Sequence, residues 1–150
     1  MVRGPLNALS LVLIVPVGAA AVCDLRTREI PNWIPLAIAG WAVLATALRL
    51  HQVAWIGMVA GALLAAIVML PLFHVGAFGG GDAKLLIAIG AAVGPLALLS
   101  ILAWMAVAGG TLALLAMFRN ARRFAYGPAI AFGVLLETVW PGGLAHVLLG

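Results

Sequence analysis

The chain is short of nearly everything a soluble protein displays to water. Only four acids occur among 150 residues, Asp24, Glu29, Asp82 and Glu137, and 8% of the residues are charged, so no acidic tail or solvated charge run is available. A single cysteine, Cys23, excludes an intrachain disulfide and a cysteine cluster for zinc. His51, His74 and His146 lack metal-ligand spacing and are read as interfacial, so neither a metal nor another cofactor is expected. Ser10, Ser100 and Cys23 have no base in their sequence neighbourhood, which leaves nucleophilic catalysis without support.

What is abundant is apolar. Hydrophobic residues make up 66% of the chain and the mean hydropathy is +1.25, against roughly 45–50% apolar residues in soluble domains. Apolar stretches long enough to cross a bilayer recur along the length. The expected fold is all-α, a polytopic membrane helix bundle of about six transmembrane helices forming one domain over residues 1–150. A signal peptide is the rival reading of the first segment, because Arg3 precedes an apolar run ending in Gly18-Ala19-Ala20-Ala21. That run is long for a signal, and no soluble domain follows it. A pI near 10.7 would suit nucleic acid, but basic residues dispersed between apolar spans describe topology better. Membrane lipid is therefore an expected partner and nucleic acid is not.

Where every face is apolar, charge, proline and glycine mark the boundaries. They divide the chain into spans at about 5–23, 33–50, 54–74, 82–94, 96–118 and 128–149, the fourth being short for a perpendicular crossing. Alternation then puts Arg26, Arg28, Lys84, Arg119, Arg122 and Arg123 on one side and only Arg3 and Arg49 on the other. The richer side is expected to be cytoplasmic, with both termini outside. The five tryptophans fall mostly near span ends, partly as an aromatic belt.

An acid in or beside a membrane span is costly and requires a reason. Asp82 follows Gly79-Gly80-Gly81 and opens an apolar helix, where it can serve as an N-cap. Three successive glycines exceed what a cap needs, and suit either close approach of another backbone or movement of the loop. Asp24 ends the first span, where Arg26 and Arg28 can solvate or pair with it. The segmentation places Asp24 and Asp82 at the same face and at similar depth. Two carboxylates that converge cannot easily both ionise, so such a pair can present an acid and a base together, with apparent pKa values that belong to the pair. Glu29 reads as solvated or surface-paired. Glu137 lies nine residues past Pro128, roughly 14 Å into its span, and is expected to be protonated or hydrogen-bonded inside the bundle, with a proton or ion route as the second reading.

The run Asp24-Leu25-Arg26-Thr27-Arg28-Glu29-Ile30-Pro31-Asn32 resembles the first aspartate motif of the type IV prepilin peptidases. Gly79-Gly80-Gly81-Asp82, continuing Ala83-Lys84-Leu85-Leu86, resembles their second, the GxGD motif. Tyr126-Gly127-Pro128-Ala129 also looks like that family, in particular the short forms serving Flp/Tad-type pili. The resemblance runs in order and spacing over nearly the whole chain. It implies an intramembrane aspartyl endopeptidase of the bacterial inner membrane that removes the basic leader from prepilin or pseudopilin substrates at the cytoplasmic face, with the pilus-assembly machinery as a further partner. It makes Asp24 and Asp82 the catalytic pair and Gly79, Gly80 and Gly81 the active-site loop, and leaves Lys84 as a modulator of which aspartate ionises, although residues two apart on a helix do not face each other. The long forms add a cytoplasmic region with paired CxxC motifs and an N-methyltransferase activity; its absence here implies cleavage without methylation.

Two readings of other classes stand beside this one. A small proton-coupled transporter or channel subunit would depend on Glu137, and a non-catalytic scaffold of a pilus or secretion assembly would use its acids only as caps and boundary charges. Other GxGD proteases cleave the spans of unrelated membrane proteins, so the substrate stays open. The glycines suggest a resting geometry with the two aspartates apart.

Overall fold

The computed structural model describes residues 8–50, 53–118 and 126–141. Arg3, His51, Arg119, Arg122, Arg123 and His146 lie outside the described residues. Six helices occur among those described, α1 (Ala8–Thr27), α2 (Trp33–Ala47), α3 (Trp55–His74), α4 (Gly80–Val93), α5 (Pro95–Phe118) and α6 (Gly127–Val139), and the fold is all-α. Each helix corresponds to one apolar segment of the sequence. Two boundaries differ from the charge-based ones in ways that matter: α1 runs past Asp24 to Thr27, and α4 begins two residues before Asp82.

The helix ends follow from local chemistry. After α1, Arg28 turns left-handed at φ 56° and its N–H donates to the Asp24 carbonyl at 2.9 Å, while Thr27 Oγ1 donates to the Cys23 carbonyl at 2.9 Å. These bonds use carbonyls that a helix C-terminus leaves open. Between α4 and α5 the chain turns at Gly94, whose φ of 80° favours glycine, and Pro95 then opens α5 where its missing N–H costs nothing. That pair of residues limits α4 to 14 residues.

The bundle is built around α4. It packs most extensively on α3, also on α2 and less on α5, whereas α1 and α5 flank α6. Leu85, Leu86 and Ile89 of α4 are fully buried together with Ile34 and Ile38 of α2, Met69 of α3, Leu98 and Ile101 of α5, and Ile130 of α6. By contrast α3 buries only Gly61, Ala65 and Met69, a single stripe at four-residue spacing. Its seam with α4 is very close: a Cβ at Gly61 would collide with the Gly90 carbonyl oxygen, and one at Gly90 would lie 2.9 Å from the Gly61 carbonyl carbon. Small residues at such a crossing let two backbones touch, the usual device where water does not drive helices together.

The outer surface is apolar as well. Val15, Leu36, Ile56, Ile67 and Leu96 are each at least 69% exposed, which for a water-facing surface would be unsatisfied area. Among the described residues α3 is long and apolar enough to cross a membrane, with only 17% of its apolar window buried. A soluble protein's core helix would be mostly covered. Trp33, Trp55 and Trp140 sit at helix ends and are more than half exposed.

The α3/α4 seam makes a direct prediction. Gly61→Ala and Gly90→Ala should each destabilise the purified protein by about 1–3 kcal/mol through overpacking against backbone, read as lowered thermal unfolding in detergent. Gly40→Ala, where a Cβ meets nothing within 4 Å, should be neutral or stabilising by at most about 1 kcal/mol.

Candidate active site

One end of the bundle gathers the end of α1, the approach to α2, the turn after α3, and the starts of α4 and α6. Both motif aspartates lie there and both are buried, Asp24 at 6% and Asp82 at 7% exposure. The elements that carry them meet there, Gly81 of α4 against Ile30 of the first motif and Phe78 before α4 against Tyr126 before α6. The two aspartates thus share one end of the bundle.

Each carboxylate is held by the start of a helix. Asp82 stands in the first turn of α4, and its Oδ2 accepts the N–H of Gly79, the residue that caps the helix, at 3.3 Å. The N-cap is thus Gly79 rather than Asp82, whose side chain reaches back to it in the manner of the acidic half of a capping box. Asp82 Oδ1 is buried with no hydrogen-bond partner among the described residues. An acceptor in that condition has capacity for water or for a substrate group. Asp24 Oδ2 accepts the N–H of Gly127, the first residue of α6, at 2.7 Å across 103 positions of sequence. Gly127 stands within the Tyr126-Gly127-Pro128-Ala129 run, but no local pattern in the sequence pairs it with Asp24.

The glycines have an identifiable role. Gly80 and Gly81 belong to α4 and only Gly79 precedes it, so two of the three expected loop residues are helical. Gly79 has an ordinary extended backbone with φ −73° and ψ 153°, so its conformation does not demand glycine. Space does: a Cβ at Gly81 would lie 3.0 Å from Ile30 Cβ and 3.4 Å from the Ile30 nitrogen, and one at Gly79 would lie 3.3 Å from Asp82 Oδ2. Ile30, buried at 8%, plugs the first motif onto the start of α4.

A second tie joins the same two segments. Lys84 Nζ donates to Asn32 Oδ1 at 3.0 Å on the exposed rim. Phe78 stacks against Tyr126 with ring centroids 4.2 Å apart and planes tilted by 35°, linking the turn before Gly79 to the start of α6. Glu29 is exposed. Glu137 is buried at 8% on α6, ten residues from Gly127 and so about 15 Å along that helix. It belongs to the bundle interior and not to the aspartate site. No group of three His, Cys, Asp or Glu side chains able to hold a metal ion occurs among the described residues.

Two buried acids are thus held by helix starts at one end of an all-helical bundle, and Asp82 Oδ1 has no hydrogen-bond partner among the described residues. The model of the type IV leader peptidase family matches residues 11–114, a span that contains both aspartates, and the chain belongs to that family. No curated protein and no solved structure matches the chain.

The packing of the two motifs is testable through stability alone. Gly81→Val should destabilise by about 1–3 kcal/mol, because the Ile30 backbone cannot retreat freely. Lys84→Ala, which removes only an exposed hydrogen bond, should stay within about 0.5 kcal/mol. Thermal unfolding of the two variants side by side checks both.

Proposed function

We propose that this chain is an aspartyl endopeptidase of the bacterial inner membrane that cuts the basic leader from type IV or Flp-type prepilins at the cytoplasmic face. Membership of a leader peptidase family supports the peptidase activity. The observation that carries the aspartyl chemistry is the burial of Asp24 and Asp82 at one end of the bundle, each holding a backbone N–H at the start of a helix.

The reaction follows from what a carboxylate and a carboxylic acid can do side by side. The ionised member takes a proton from a water molecule as its oxygen bonds to the scissile carbonyl carbon, while the protonated member gives its proton to the carbonyl oxygen. A tetrahedral diol results. Its C–N bond then breaks as the nitrogen takes a proton from the acid of the pair, a hydroxyl proton returns to the carboxylate, and the original protonation state is restored. Asp82 Oδ1, buried and without a partner among the described residues, has the capacity to bind the water or the carbonyl. Gly79 leaves room for the Asp82 carboxylate, Gly81 admits Ile30, and Lys84 contributes by tying α4 to Asn32.

Multi-pass insertion is supported by six apolar helices and by large aliphatic side chains covering their outward faces. The cytoplasmic orientation of the site rests on the basic residues: Arg26, Arg28 and Lys84 sit at the aspartate end, and Arg49 at the other. Substrates are then membrane-anchored peptides with a basic leader outside the bilayer, delivered in association with pilus assembly.

Asp24→Asn and Asp82→Asn keep size and lose the acid–base group. Co-expression of each with candidate prepilins, followed by N-terminal sequencing of the product, should show cleavage lost in both while the variants accumulate in the membrane as the wild type does. Full cleavage by either one removes the dyad assignment.

A further inference from the structure

The match to the leader peptidase family ends before α6, yet α6 supplies the only hydrogen bond made by the Asp24 carboxylate among the described residues. That bond is short at 2.7 Å and buried, and its donor is a backbone N–H that a helix start would otherwise leave open. Pro128 follows Gly127 and has no N–H, so the first turn of α6 offers few donors and one of them is committed to Asp24.

Contact distances at this point leave no room for a side chain. A Cβ on Gly127 would lie 2.8 Å from Asp24 Cβ, 2.9 Å from Asp24 Oδ2 and 3.2 Å from Ala21 Cα. The last of these is backbone of α1 and cannot swing aside, so the carboxylate would have to move. Gly127 itself is held from the other side, because Tyr126 stacks on Phe78 in the turn that leads to Gly79 and Asp82. The start of α6 therefore touches the supports of both acids.

From this geometry we infer that Gly127 is a positioning residue for the peptidase reaction: its N–H fixes the orientation of the Asp24 carboxylate towards Asp82, and its missing side chain is what allows α6 to come that close. This rests on the aspartyl reading above. It assigns to the last helix a part in the chemistry that neither aspartate motif contains. Displacing a reacting carboxylate by a fraction of an ångström to an ångström lowers the chemical step far more than binding.

The experiment measures cleavage by purified protein in detergent, using a synthetic prepilin-like peptide with a basic leader, a glycine and an apolar helix. Gly127→Ala should lower kcat by about ten- to a hundredfold with KM changed by less than about threefold, and the variant should still unfold cooperatively. Unchanged kcat, or a rise in KM alone, overturns the inference. Should Gly127→Ala fail to fold, the bond is tested from its other partner. Asp24→Asn keeps an oxygen for the Gly127 N–H and should melt as the wild type does, whereas Asp24→Ala should melt about 2–4 °C lower; equal melting of these two variants overturns it. Inactive Asp24→Asn with fully active Gly127→Ala removes only the positioning role, while active Asp24→Asn removes the aspartyl reading itself.

Discussion

Everything at the working end of this bundle depends on satisfying two carboxylates in an apolar interior. Burying an acid without partners costs several kcal/mol, and among the described residues no side chain donates a hydrogen bond to either carboxylate. The donors come instead from backbone, at the only places where a helix leaves N–H groups unused. Gly79 at the start of α4 serves Asp82 and Gly127 at the start of α6 serves Asp24. Helix starts must therefore converge where the acids are, and that requirement organises the rest.

Convergence of several helix ends demands close approach, and close approach demands small residues. Gly81 admits Ile30, Gly127 admits Asp24, and at mid-bundle the Gly61/Gly90 seam draws α3 onto α4. The shortness of α4 belongs to the same arrangement. Capped by Gly79 and ended by Gly94-Pro95, it is the central helix, lined on several sides by buried Leu85, Leu86 and Ile89, and it presents Asp82 in its first turn.

The sequence is informative wherever a single residue type announces a local event. Apolar runs broken by charge, Gly94-Pro95 and Pro128 locate all six helices, and the alternation of spans brings Asp24 and Asp82 to one face. The depth of Glu137 along its apolar run likewise places it inside the bundle, where the structure has it. What cannot be read is anything carried by backbone at long range. The Gly127 N–H is chemically the same as every other amide in the chain, so its bond to Asp24 leaves no mark in the residue pattern. Lys84 invites attention for its charge beside Asp82, whereas its side chain leaves that helix face for Asn32.

The triple glycine shows how one pattern carries two physical meanings that only coordinates separate. Glycine relaxes backbone conformation and it also removes volume. At Gly79 the backbone is ordinary and at Gly80 and Gly81 it is helical, so conformational freedom is not what these positions use in this state. At Gly79 and Gly81 it is volume, since the Asp82 carboxylate and Ile30 lie 3.3 and 3.0 Å from where a Cβ would stand. The consequence reaches back to the first motif, whose residues divide the work among them. Asp24 takes the Gly127 N–H, Arg28 turns the chain left-handed, Ile30 seats it on α4, and Asn32 takes the lysine. The spacing from Asp24 to Asn32 is then the length of chain needed to leave one helix, lock onto the start of another and begin a third. The end of α1 and the start of α4 are therefore held at one level by the side chains of the segment between them, Ile30 by packing and Asn32 by its bond to Lys84.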